Sequence, residues 1–130
     1  MAPEVSAELD ALGFVRLGVL APLLLHELRT AIDDVMLGRA DVDYDGLLMQ
    51  LDSATGEYGD LGRQTRGFKG ATLGYRKIQD LERHPTFRAY AELPVFAAIC
   101  RDVYGAGVPI ACFRAMFMNK PASAGTELPW

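Results

Sequence analysis

The sequence predicts a mixed α+β domain, and three features carry that prediction. Within residues 22–36, Leu24, Leu28, Ile32 and Val35 fall on one stripe at helical spacing. Residues 110–118 alternate, with Ala111, Phe113, Ala115 and Phe117 on one face and Cys112, Arg114, Met116 and Met118 on the other. Between these segments, short apolar runs are separated by stretches rich in Gly, Asp, Ser and Thr. At 130 residues, 50% hydrophobic and 23% charged, the chain has globular composition and the length of one domain.

Each element follows in order. "GFVRLGVL", residues 13–20, alternates Phe14, Arg16 and Gly18 against Val15, Leu17 and Val19, which predicts a short strand. "APLLLHELRTAIDDVMLG" is a helix. Pro22 suits its first turn, where a missing N–H costs nothing, and Gly38 suits the position just past its end. Glu27, Arg29, Asp33 and Asp34 lie elsewhere on its surface, mostly towards solvent. Residues 39–74 read as loops around one short strand, "LLMQL" at 47–51. "TLGYRKIQD", residues 72–80, alternates through Tyr75 and Ile78 and predicts another strand. "HPTFRAYAEL" and "PVFAAICRDVYG" predict two short helices, with Pro85 and Pro94 near their starts and Gly105 after the second. The strand at 110–118 is apolar on both faces and wants neighbours on every side, yet few strands precede it. The expected partners are further strands or another chain.

Composition narrows the function classes. A net charge of −4, with the basic residues dispersed, gives no reason to expect nucleic acid or an anionic membrane as partner. The longest apolar run, residues 19–25, is too short to span a bilayer. The opening "MAPEVSAELDALG" is acidic and lacks the basic start of a signal peptide. Cys100 and Cys112 both sit in apolar stretches and are expected as buried, reduced thiols, which points to the cytoplasm.

Motifs with intrinsic chemistry are few. His26, on the helix, is expected at the surface, and His84, before Pro85, at a helix start. Neither joins a His-x-Asp, His-Glu-x-x-His or Cys-x-x-Cys pattern, so no metal site is expected within these residues. Asp41, Asp43 and Asp45 read as a turn, because the glycine and distal glutamate of a calcium loop are misplaced. "GRQTRGFKG" reads as a solvated loop, with anion binding as the alternative. Lys77 stands out. A cation mid-strand costs free energy unless it is paired or faces a polar cavity. Two readings stay open for it: snorkelling to solvent, or binding an anion.

Three stretches together resemble the phytanoyl-CoA dioxygenase family of iron(II)/2-oxoglutarate oxygenases. "GFVRLGVLAPLLLHELRTAID" is similar to the family's opening strand and helix. "YRKIQDLERHPTFRAYAELP" is similar to its Lys-Ile/Val-Gln-Asp strand and following helices, and "FRAMFMNKPASAGTELPW" to the strand and loop leading to its iron motif. The resemblance implies a double-stranded β-helix, a cupin-like jelly roll with flanking helices. This chain, residues 1–130, would be a single partial domain from its N-terminal portion, with the barrel incomplete. It implies iron(II) and 2-oxoglutarate as cofactors of the full-length protein, and a small organic substrate that is hydroxylated or otherwise oxidised. By motif, Lys77 and Met116 match residues that contact 2-oxoglutarate, while Asn119 and Lys120 line the approach. The segment 53–71 would cover the substrate. The family's His-x-Asp would fall directly after Trp130, so the iron ligands would lie outside this chain, which would be inactive by itself. The rival expectation is a non-catalytic binding or partner protein that keeps the scaffold without the metal.

Overall fold

The computed structural model describes residues 3–16 and 18–120. Its helices are α1 (Pro3–Leu12), α2 (Pro22–Met36), α3 (Pro85–Ala91) and α4 (Pro94–Tyr104). Its strands are β1 (Leu48–Leu51), β2 (Thr65–Arg66), β3 (Tyr75–Gln79) and β4 (Met116–Met118). They form one antiparallel sheet in the order β2-β1-β3-β4. The mixed α+β class holds: the sheet is open and four-stranded, with helices beside it.

Helix α2 forms as its periodicity dictates. Pro22 opens it, and Ala31, Ile32, Val35 and Met36 are its buried residues. Gly38 follows with φ +72, a left-handed conformation that suits the residue past a helix end and that glycine adopts without a Cβ penalty. The apolar face of α2 joins Leu47, Met49, Tyr75, Ile78 and Leu81 in one buried cluster. Phe117 packs against its edge.

The strand register explains which residues the sheet buries. Met49 pairs with Ile78, and Ile78 with Phe117, so these apolar side chains share the core face. A register irregularity between Gln50 and Leu51 brings Leu51 opposite Tyr75 and Gln50 opposite Lys77. Arg76 is left as the extra residue, as in a β-bulge, so Tyr75 and Ile78 both enter the core despite their odd spacing.

Several expectations change. Residues 13–20 contain no strand among those described: Phe14 is 64% exposed, Val19 is 98% exposed, and Gly18 takes φ +133. Alternation alone does not make a strand where no partner supplies ladder bonds. The opening residues instead form α1, which ends at Gly13, φ +75, with Gly13 N–H donating to Leu9 O over 2.8 Å.

The strand expected over 110–118 is real only at Met116–Met118. Its partner β3 ends at Gln79, and the chain then turns sharply at Asp80, φ 67 and ψ 28. Residues 110–115 therefore have no ladder, and Phe113 is 89% exposed. Cys112 is exposed and Cys100 only half-buried, so neither is the buried thiol expected. The long loop is also more ordered than expected: Tyr44–Gly46 and Tyr58–Asp60 are 3-10 turns, and β2 pairs with β1. Asp43 accepts from Asp45 N–H over 3.1 Å, which makes the aspartate-rich stretch a turn.

Candidate functional site

The sheet face opposite the core carries the polar chemistry. Because side chains alternate, Lys77 and Gln79 of β3 share that face with Leu48 and Gln50 of β1 and with Met116 and Met118 of β4. Register sets two rows. Arg66, Leu48, Gln79 and Met116 lie across the sheet in one; Gln50, Lys77 and Met118 lie in the next.

Lys77 and Met116, 39 positions apart in sequence by subtraction, are thus diagonal neighbours on adjacent strands. Such positions lie roughly 7–8 Å apart, within reach of a common small ligand. Lys77 is half-buried, and its ammonium has no hydrogen-bond or ion-pair partner among the described residues. A partly buried cation without an anion is what a carboxylate-binding position requires.

The neighbouring row is fully engaged. Arg114 Nη1 donates to Gln79 Oε1 over 2.8 Å, and Gln79 Nε2 approaches Met116 Sδ at 3.2 Å. Arg114 Nε sits 3.0 Å from Asp80 Oδ1, and Arg66 Nη1 lies 3.6 Å from Asp80 Oδ2 while donating to Gly46 O over 2.6 Å. Asp80 is 7% exposed, and its Oδ2 is buried without a hydrogen bond among the described residues.

Asn119 and Lys120 take different positions. The Asn119 side-chain amide donates to Leu73 O over 3.2 Å and to Tyr75 O over 3.1 Å, and its backbone N–H donates to Arg76 O over 2.8 Å. It ties the end of β4 to the start of β3. Lys120 is exposed beside it. The segment 53–71 rests partly on the sheet edge: Gln50 Nε2 donates to Gly62 O over 2.6 Å, and Arg76 lies over the Tyr58 ring at 5.6 Å.

On the core side, a groove of about 1060 Å³ runs between α2, α3, α4 and residues 110–117. Leu28, Ile32, Phe87, Phe96, Ile110 and Phe117 make most of its apolar wall. Arg114 and Met116 reach its rim from the edge strand, whereas Lys77 is not among its lining residues. His84 begins α3, where its Nδ1 accepts from Thr86 N–H over 3.2 Å, and His26 is exposed.

Among the described residues no group of three or more His, Cys, Asp or Glu side chains could hold a metal ion, and no helix is long and apolar enough to cross a membrane. Lys77, half-buried and without a described partner, suits a carboxylate.

Gln79 and Asp80 received no role from the sequence although they sit in the "KIQD" stretch. A signal existed: Arg114, flanked by apolar residues, called for an acidic partner, and Asp80, like Asp52, stands at the end of an expected strand.

The geometry defines an open antiparallel sheet backed by helices, with a lone lysine on its free face. No family model matches the chain, and neither the curated proteins nor the solved structures contain a match.

Proposed function

We propose that this chain is the N-terminal part of an iron(II)- and 2-oxoglutarate-dependent oxygenase of the phytanoyl-CoA dioxygenase type. The proposed protein is cytoplasmic and oxidises a small organic substrate. The observation that carries the reading is the placement of Lys77 beside Met116 on one open sheet face, with the lysine unmatched by any described carboxylate. Both positions come from the motif resemblance, and the fold makes them neighbours across strands that the motif does not itself connect.

In this reading Lys77 holds a carboxylate of 2-oxoglutarate by charge-assisted hydrogen bonding, and Met116 forms an apolar wall beside the chain of the cosubstrate. Iron, bound by residues outside those described, supplies the oxygen-activating chemistry. The described residues orient the cosubstrate and keep one side of it dry.

The test begins with the gene. Its reading frame is sequenced past codon 130 and its whole product assayed for 2-oxoglutarate-dependent succinate formation with iron(II). Downstream His-x-Asp, His and Arg codons and substrate-dependent succinate are the expected result. Lys77→Met should then raise the KM for 2-oxoglutarate about tenfold or more, the equivalent of roughly 1.4 kcal/mol. A product that never turns over 2-oxoglutarate, or a Lys77→Met variant with unchanged KM, would sink the reading.

A further inference from the structure

We infer that Asp80 is a positioning residue for this site, acting through Arg114 and Gln79 on Met116. The inference rests on the 2-oxoglutarate reading above and deepens it.

Asp80 is the one described non-glycine residue with positive φ. That conformation is unfavourable for a non-glycine residue and persists where surrounding contacts over-determine it. It turns the chain at the end of β3 and directs a buried carboxylate at Arg114. From there the contacts form a continuous relay: Asp80 Oδ1 to Arg114 Nε at 3.0 Å, Arg114 Nη1 to Gln79 Oε1 at 2.8 Å, and Gln79 Nε2 to Met116 Sδ at 3.2 Å. The two arginine nitrogens engage two different acceptors, so the planar guanidinium fixes Asp80 and Gln79 relative to each other.

The same corner is fastened by backbone. Leu81 N–H donates to Ala115 O over 3.1 Å, and Ala115 N–H donates to Glu82 Oε2 over 2.9 Å. Both bonds engage Ala115, between Arg114 and Met116, and hold it against the 81–83 turn. Backbone position is thus secured without Asp80, and what Asp80 adds is side-chain orientation and charge.

The charge matters for the site. Arg66, Arg114 and Lys77 all belong to the free-face cluster; Asp80 pairs with both arginines, Arg114 the more closely, and Lys77 pairs with no described residue. Lys77 is therefore the cation of this face that no described carboxylate engages. Without Asp80, Arg114 and Arg66 would both be left to compete for the same carboxylate, and the Gln79–Met116 contact would lose its anchor.

The experiment uses the whole gene product with methyl-13C methionine labels and the variants Asp80→Asn, Asp80→Glu and Arg114→Lys. Asp80→Asn is isosteric but uncharged. It should shift the Met116 methyl resonance and leave Met118 in place, since Met118 pairs with Lys77 and takes no part in the relay. It should also raise the KM for 2-oxoglutarate five- to tenfold while kcat changes less than twofold. Arg114→Lys, which keeps the charge but loses the second nitrogen of the fork, should move the Met116 methyl as well. Asp80→Glu should recover part of the KM.

An unmoved Met116 methyl in Asp80→Asn overturns the relay. So does an unchanged KM in an active enzyme, or a kcat loss that matches a general loss of folded protein. Failure of the wild-type protein to turn over 2-oxoglutarate would remove the oxygenase reading, and this inference with it. That outcome is distinct from an active wild type whose Asp80 variant behaves normally.

Discussion

Tyr75 shows how much one buried hydroxyl can organise. Its ring is fully buried, and its hydroxyl donates to Gly70 O and accepts from Lys69 N–H, each at 2.9 Å. Burial pushes its pKa up from the ordinary tyrosine value, so it stays protonated and keeps donating. Tyr75→Phe leaves both backbone groups without this partner and should cost about 1–3 kcal/mol in urea unfolding. A loss below a few tenths would show that water replaces the hydroxyl. His84 makes a pH-dependent contribution. Desolvation lowers its pKa below the ordinary value, against a weaker upward pull from Asp34. The unfolded state then binds the proton more tightly than the folded state. Stability is full above the unfolded pKa of about 6.5 and is lost as pH falls through the folded value. Protonation also removes the acceptor that Nδ1 offers Thr86. Unfolding curves at stepped pH should show this slope in the wild type and a shallower one in His84→Asn, which caps without titrating. Parallel slopes would assign the effect elsewhere.

At the scale of elements, the end of α2 is set by a glycine that meets an aromatic ring. A Cβ on Gly38 would stand 2.7 Å from the Phe68 ring, and the residue already has φ +72. Phe68 in turn packs near Tyr44, at 5.1 Å between centroids, and Tyr75, at 6.4 Å. Gly38→Ala should therefore exceed the purely conformational penalty of about 1–2 kcal/mol, because the ring must move. Gly13→Ala supplies the comparison, since it shares a positive φ, +75, but has nothing within 4 Å. Its urea midpoint should fall by the conformational part alone. Equal losses at the two positions would mean that Phe68 gives way freely. The same comparison separates backbone strain from packing, which the two helix ends otherwise combine.

At the scale of the molecule, the sheet has an open side. β4 is an edge strand with exposed Met116, 48%, and Met118, 54%, and β2 is a two-residue strand at the other edge. Unpaired ladder groups beside apolar side chains favour pairing with another chain. Residues 1–130 by themselves should associate in a concentration-dependent way by sedimentation velocity, and Met118→Lys should reduce it. A monomer at every concentration would mean that the edge is protected. The apolar groove beside α4 adds to this surface: Leu25 and Ile110 in its lining are 41% and 49% exposed.

Much of this architecture was legible in the residues. The α2 stripe, its proline start and glycine stop, the strands around Met49 and Ile78, the two proline-led helices and the turn of aspartates all follow from local preference. Lys77 was singled out because a mid-strand cation is costly wherever the strand is placed. What the residues by themselves left open depends on partners distant in sequence. Residues 13–20 and 110–115 alternate like strands, yet the described residues among them form none, since a ladder belongs to two segments and a pattern to one. Asp80 takes a left-handed conformation without being glycine, and Arg114 becomes its partner only when β3 and β4 align. Periodicity determined which faces are apolar. The tertiary structure decided which strands pair, and therefore which polar side chains meet on the face left free.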